Sequence, residues 1–342
     1  EIGWCDWSSD VCSSDLTLST LPLPLEEWQG EGAESGAEAG MTESTSDPGK
    51  DFAALRATGD PVGASKSIGM AFVRARDKLA RHLLAAGATP NRITIAGFLV
   101  TCAAGYCLAR GASHTVPYFA SASGPTSWWP ALAAVFLILA GACDMLDGAV
   151  ARVGGLGSRA GAVLDSSVDR FSDMAIYIGC FLHFALHAPT NITYQVLAVV
   201  ALCNAFLISY VKARAENVID DCSVGYWLRG ERFAAVLIGC IVGHVPAVLW
   251  QMAISCFFTV WRRMEYTYHT LQAVDAGRPP PPRGPVPGWR GVLQLWRRPR
   301  GSVAYDVVTG AHIAYIIFAP CLWPALRASG AYADPLRGWL AG

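Results

Sequence analysis

Six long apolar runs between residues 93 and 268 restrict this chain to very few folds. A helix needs about 20 apolar residues to cross the roughly 30 Å hydrocarbon core of a bilayer, and each run approaches or exceeds that length. Short polar segments separate the runs, as in a polytopic membrane protein. The sequence therefore predicts an all-α integral membrane protein with six transmembrane helices, the last two meeting near Pro246. The six segments are 93–110, 128–150, 162–187, 193–213, 232–248 and 249–268.

Charge content agrees with this assignment. Only 15% of the residues are charged, whereas soluble domains carry about 25%. The formal net charge is −1, so the chain has no overall basic field that would favour nucleic acid as a partner. We therefore expect membrane lipid, and no nucleic acid, among its partners.

The segment before the first run has two parts. Residues 1–65 are rich in Glu, Ser and Gly, show no helical period and are predicted to be disordered. Residues 1–40 precede the first methionine, Met41, and are interpreted either as natural sequence or as an artefact of gene prediction. From Ser67 to Ala86, apolar residues recur at helical spacing with basic residues between them, which predicts an amphipathic helix on the membrane surface. A soluble packing helix is the alternative.

Composition changes again after the sixth run. Residues 66–270, from the surface helix to the end of the last core span, form the predicted membrane domain. Residues 271–302 are rich in Pro and Arg and are predicted to be a linker. Residues 303–342 form a C-terminal hydrophobic segment, whose apolar run up to Leu326 either adds a membrane helix or lies on the membrane surface.

Lys and Arg alternate between the two sides of the predicted bundle. Six of them lie within residues 66–92, whereas the loop after the first run carries only Arg110. The same alternation continues to the end of the sixth run. Because positively charged loops stay in the cytoplasm, we predict a bacterial cytoplasmic membrane protein whose N-terminus and basic loops face the cytoplasm.

Four aspartates lie where the second and third runs meet. Asp144 and Asp147 are three residues apart near the end of the second run, and Asp165 and Asp169 are four apart near the start of the third. On a helix, each pair shares one face. A glycine-rich connection allows the two helices to form a hairpin, so all four carboxylates should lie near one cytoplasmic edge.

Carboxylates clustered at a membrane edge require positive charge between them. A single Asp at the centre of a membrane helix costs roughly 2.5–3.5 kcal/mol, and neighbouring carboxylates repel each other. Carboxylate oxygens suit hard cations, so two divalent ions, Mg²⁺ or Mn²⁺, would neutralise the set and hold a diphosphate. The alternatives are structural pairing with Arg152, Arg159 and Arg170, or cation conduction by a transporter. Metal-dependent turnover of a substrate would separate an enzyme from a transporter.

The residues from Asp144 to Asp169 follow the order D-x2-D-G-x2-A-R-x8-G-x3-D-x3-D, which resembles the signature of the CDP-alcohol phosphotransferase family. The resemblance implies six transmembrane helices after a surface helix, usually in a homodimer. It also implies metal-dependent transfer of a phosphatidyl group from CDP-diacylglycerol to a hydroxyl acceptor, with Asp169 as general base. The implied metal ligands are Asp144, Asp147, Asp165 and Asp169. The implied binding residues for the CDP moiety are Gly148, Ala151, Arg152 and Gly161.

Two further motifs, at residues 209–216 and 229–232, concern the acceptor. They read S-Y-V-K-A-R-A-E and R-G-E-R and resemble the phosphatidylinositol-phosphate synthase branch of that family, which implies inositol phosphate as the acceptor. Basic residues beside the acids also favour an anionic acceptor, because Arg and Lys bind phosphate. The implied acceptor pocket comprises Ser209, Lys212, Arg229, Arg232 and Arg263. The alternatives are glycerol phosphate, as for phosphatidylglycerophosphate synthase, or basic residues that only mark topology or bind lipid headgroups.

Overall fold

The structure is a computed structural model, and it describes residues 76–119, 125–282 and 302–322. These residues form eight α-helices, with one turn of 3-10 helix at Pro117–Phe119. The helices are α1 (76–85), α2 (Pro90–Gly111), α3 (Trp129–Gly154), α4 (Arg159–His187), α5 (Ile192–Ala215), α6 (Arg229–Val242), α7 (Val245–Asp275) and α8 (Val303–Leu322).

Small residues and buried amides bring the central helices together. α2 packs along both α3 and α4, and a Cβ placed on Gly179 of α4 would lie 2.2 Å from the carbonyl oxygen of Gly105 on α2. Glycines permit such close approach of membrane helices. α5 packs against α4 and α7, and Asn204 on α5 donates to the carbonyl oxygens of Met252 and Ala253 at 3.2 and 2.8 Å. The α3–α4 hairpin is thus held by neighbours that leave little freedom to slide.

Helices α2 to α7 follow the six predicted spans in order. Among the described residues, four helices are long and apolar enough to cross a membrane by length and composition: α2, α3, α5 and α7. α4 has 29 residues but carries charged groups through its first half, and α6 has only 14 residues. The helices therefore agree with an integral membrane protein, while the count of six spans stays a prediction.

The boundary between the fifth and sixth helices differs from the predicted one. The sequence placed it between residues 248 and 249, whereas α6 ends at Val242 and α7 begins at Val245. Gly243 adopts a left-handed φ of +70°, which glycine takes without strain and which ends α6. Pro246 lies in the first turn of α7, where the missing N–H costs no helical hydrogen bond. The glycine, and not the proline, separates the two helices.

α1 is the described part of the predicted surface helix. It packs Ala80 against Ala149 and Val150 near the end of α3, with Leu84 beside them. The predicted helix is therefore confirmed over residues 76–85, where it contacts the membrane bundle through its apolar face.

α8 is the described part of the C-terminal hydrophobic segment. Near its start Tyr305 contacts Glu231, at the beginning of α6, and near its end Ile316 contacts His244, just beyond α6. α8 therefore runs beside α6 and in the same direction. The predictions for three other stretches lie outside the described residues, namely 1–65, the linker between 283 and 301, and 323–342.

Candidate metal and substrate site

The hairpin between α3 and α4 positions the acidic side chains. α3 ends at Gly154, and Gly155 takes a left-handed φ of +61° that turns the chain. Ser158 caps the start of α4, and its Oγ accepts a hydrogen bond from the amide of Gly161 at 3.0 Å. This turn connects the two helices that carry the acids, and both helices pack against α2 rather than directly against each other.

Three of the four predicted metal ligands form one cluster. Asp144 on α3 and Asp165 and Asp169 on α4 each offer a carboxylate oxygen, and these oxygens lie within 4.8 Å of one another. Oxygens that bind one Mg²⁺ in an octahedral site are about 2.9 Å apart when adjacent and about 4.2 Å apart when opposite, so the three carboxylates would draw together around an ion. The donor set, made of hard carboxylate oxygens, also fits Mg²⁺ or Mn²⁺.

Asp147, the fourth predicted ligand, occupies a more enclosed position. It is 5% exposed, and its Oδ2 accepts a hydrogen bond from Thr94 Oγ1 at 2.7 Å. It lies three residues after Asp144 on α3, and so on the same helical face, but its carboxylate is not part of the cluster of three. Thr94, which orients Asp147 from α2, was missed because no local sequence pattern connects residues so far apart.

Arg229, the first residue of α6, bridges two of the clustered acids. Its Nη1 lies 2.5 Å from Oδ1 of Asp144, and its Nη2 lies 2.9 Å from Oδ1 of Asp169. This guanidinium thereby connects α6 to both arms of the hairpin. One guanidinium does not neutralise the carboxylates gathered here, and the remaining negative charge favours a divalent cation.

The predicted nucleotide-binding residues lie along the hairpin. Gly148 and Ala151 are on the last turns of α3, and a Cβ on Gly148 would lie 3.3 Å from Nη1 of Arg152. The Arg152 guanidinium therefore covers this glycine. On α4, a Cβ on Gly161 would lie 3.6 Å from Oδ1 of Asn91, which brings the start of α2 to the same place. Asn91 was not predicted, although it follows the Pro that starts α2.

The predicted acceptor residues on α5 are partly exposed. The Lys212 ammonium lies 3.6 Å from a carboxylate oxygen of Glu216, and 18% of the Lys212 side chain is exposed. Ser209 lies one turn earlier and donates from its Oγ to the carbonyl oxygen of Ala205 at 3.3 Å. Both side chains can be reached by a small polar molecule without unfolding of the helix.

The other two predicted acceptor residues are buried. Arg232 pairs with Asp173 through an Nη2–Oδ2 distance of 2.9 Å. Arg263 donates from Nε to the carbonyl oxygen of Val224 at 3.1 Å and from Nη1 to the carbonyl of Ile208. Asp173 was missed by the sequence analysis. A signal for it existed, since it follows Asp169 by the same four residues that separate Asp165 from Asp169 on α4.

Comparison with known proteins identifies the family of the chain. The sequence model of the CDP-alcohol phosphatidyltransferase family matches residues 88–261. The phosphatidylinositol phosphate synthase of Mycobacterium tuberculosis is 36% identical over 214 residues, which cover 60% of this chain and 91% of that protein. The archaetidylinositol phosphate synthase of Methanothermobacter thermautotrophicus is 33% identical over 186 residues, 53% of this chain and 84% of that one.

The crystal structure of the M. tuberculosis phosphatidylinositol phosphate synthase with CDP-DAG bound superposes with a TM-score of 0.48 at 28% identity, over 57% of this chain and 94% of that chain.

Proposed function

Because the chain belongs to the CDP-alcohol phosphatidyltransferase family, we propose that it transfers a phosphatidyl group from CDP-diacylglycerol to inositol phosphate and releases CMP. The observation that carries this proposal is the meeting of three clustered carboxylates with Arg229, because it sets metal ligands beside a phosphate-binding cation. The relatives that are inositol-phosphate lipid synthases support the choice of acceptor.

We propose that two divalent ions, Mg²⁺ or Mn²⁺, bind the four aspartates of the hairpin. When bound, the ions would withdraw charge from the diphosphate and make the phosphorus under attack more electrophilic. The cluster of Asp144, Asp165 and Asp169 supports the first ion. Asp147 supports the second, since it lies three residues after Asp144 on α3 and shares a helical face with it.

Asp169 is the proposed general base. Its carboxylate lies 2.9 Å from the Arg229 guanidinium, so a phosphate held by Arg229 would bring the acceptor's hydroxyl beside this carboxylate. Asp169 takes the hydroxyl proton, the freed oxygen attacks the lipid-side phosphorus, and the bond to CMP breaks. The nucleotide would rest along the hairpin, on Gly148, Ala151, Arg152 and Gly161.

Two layers of residues would hold the acceptor phosphate. Ser209, Lys212 and Arg229 are the groups we propose to contact it, because each is partly accessible and carries a donor. Arg232 and Arg263 lie behind them, where they fix α4 and the segment before α6. Direct contact of these two buried arginines with phosphate remains a prediction.

Six spans in a bacterial cytoplasmic membrane, with the site on the cytoplasmic face, complete the proposal. The alternation of basic loops supports this orientation, and a cytoplasmic face gives access to soluble phosphate esters. A homodimer, which the family resemblance implied, remains a prediction for residues 66–270.

The function can be tested with purified protein and CDP-diacylglycerol. Inositol phosphate, glycerol phosphate and inositol are offered separately, and the lipid product is identified by its mass. We expect phosphatidylinositol phosphate and an equal amount of CMP. A product formed only with glycerol phosphate would assign the chain to phosphatidylglycerophosphate synthesis, and CMP release in no reaction would refute the enzyme assignment.

A further inference from the structure

α8 lies beyond the part of the chain that the family model matches. The match ends at residue 261, whereas α8 begins at Val303. Nevertheless α8 packs against both α6 and α7, and α6 begins with the arginine that bridges the acid cluster. An element outside the family match thus contacts the helix that carries a proposed binding residue.

The first contacts of α8 fall on either side of Arg229 in the sequence. Before it, the Tyr226 hydroxyl donates to Thr309 Oγ1 at 3.0 Å. After it, Glu231 Oε1 accepts a hydrogen bond from the Tyr305 hydroxyl at 2.8 Å. Residues two apart on a helix do not share a face, so Glu231 points to α8 while Arg229 points to the acids.

Aromatic contacts fix the residues just before α6. The His312 ring on α8 stacks on Tyr226 with centroids 4.8 Å apart and lies 4.7 Å from the ring centroid of Trp227. His312 is itself held from α7, where Gln251 Nε2 lies 2.8 Å from its Nδ1. The chain that leads into Arg229 is therefore clamped between α8 and α7.

The far end of α8 has its own attachment. His244, at the junction of α6 and α7, is hydrogen bonded through Nδ1 to the carbonyl oxygen of Ile316 at 2.9 Å. α8 is consequently fixed at both ends of α6 and cannot tilt away from it at one end alone.

A cavity of about 250 Å³ lies between these attachments. Residues of α6 and α8 line it together with Tyr226 and Trp227, and Glu231 and Tyr305 are among the lining residues. On its other sides α6 packs against α3 and α7. Across the cavity, hydrogen bonds to Tyr305 and Thr309 join α8 to Glu231 at the start of α6 and to Tyr226 just before it.

We propose that α8 is a positioning helix for the acceptor site, which holds the start of α6 through Tyr305 and Thr309 so that Arg229 faces the acids. Tyr305 and Glu231 are positioning residues, since neither touches the acid cluster. The effect of α8 on acceptor binding rests on the proposed function, whereas its effect on how firmly residues 226–232 are held does not.

The test is Tyr305→Phe, with Tyr315→Phe as the matched control on the same helix. Loss of one hydrogen bond to a carboxylate at the start of α6 should raise the KM for inositol phosphate by about 3- to 10-fold. The KM for CDP-diacylglycerol should change less than about 2-fold. A Glu231→Ala, Tyr305→Phe double variant should be no worse than the more damaging single variant, because both remove the same contact.

Hydrogen–deuterium exchange of residues 226–232 gives a second readout that needs no acceptor. Exchange should be faster in Tyr305→Phe and unchanged in Tyr315→Phe, and this result would support positioning even if the enzyme used another acceptor. Equal rises in the KM for donor and acceptor, or unchanged exchange with an unchanged acceptor KM, would overturn the proposal. If no acceptor gave a product but exchange changed as expected in the two variants, the result would count against the proposed function alone.

Discussion

Replacement of Arg229 by Ala should change both the binding of the acceptor and the binding of the metal ions. In the structure its guanidinium bridges Asp144 and Asp169, and only 27% of its side chain is exposed. If it holds the acceptor phosphate, its loss removes a binding interaction. Its loss also removes the positive charge that lies against two proposed metal ligands.

The first loss weakens binding of the acceptor, whereas the second strengthens binding of the metal ion. A hydrogen bond to a charged group contributes roughly 1.5–3 kcal/mol, so the acceptor KM should rise by about 10- to 100-fold. Two unit charges 4 Å apart interact by about 4 kcal/mol at an effective dielectric of 20, and partial exposure screens much of this. Loss of Arg229 removes the repulsion between its guanidinium and a divalent ion bound by the same carboxylates. The Mg²⁺ concentration for half-maximal rate should therefore fall by several-fold, on the order of 10-fold at most.

The assay is initial CMP release, measured against inositol phosphate, CDP-diacylglycerol and Mg²⁺ in turn. Arg214→Ala is the control, because it removes the same charge from an exposed position at the end of α5. Unphosphorylated inositol should be a poor substrate for the parent enzyme. An Arg229→Ala enzyme with an unchanged acceptor KM, or a parent that uses inositol and inositol phosphate equally, would show that Arg229 serves only to pair the acids.

Three further outcomes are expected. EDTA should abolish turnover, measured as CMP release, and Mg²⁺ or Mn²⁺ should restore it, since the clustered carboxylates need divalent charge. Full turnover in EDTA would contradict the two-metal proposal. Asp169→Asn should lower kcat by at least about 10²-fold while CDP-lipid binding measured by titration falls much less, and near-normal kcat would place the base elsewhere. In a labelling experiment, a tag before Ser67 and a probe within residues 214–229 should both report the cytoplasm, and a probe near Thr190 should report the opposite side; any other pattern would refute the six-span orientation.

The hairpin and its acids were accessible to sequence reasoning because the signals are local. The spacing of Asp144 and Asp147 on one helix, and of Asp165 and Asp169 on the next, sets their shared faces. The glycines between them set the turn. The structure accordingly brings Asp144, Asp165 and Asp169 within 4.8 Å of one another.

Contacts between distant parts of the chain were not accessible in this way. Arg229 was predicted to bind phosphate, but its bridge between Asp144 and Asp169 depends on how α6 packs against α3. Hydropathy also placed the end of α6 too late, because the apolar run continues through the break. The left-handed Gly243 interrupts the helix without interrupting the apolar composition.

The 14 residues of α6 have a consequence for the membrane itself. They rise about 21 Å, which is roughly 9 Å less than the thickness of a typical hydrocarbon core. If α6 crosses the bilayer as proposed, the lipid around it must thin or the polar ends of the helix must sink below the headgroup level. If the shortfall falls at the start of α6, Arg229 lies below the headgroup level. A water-soluble phosphate ester could then descend to the depth of the lipid phosphorus, and neither reactant would have to leave its own phase.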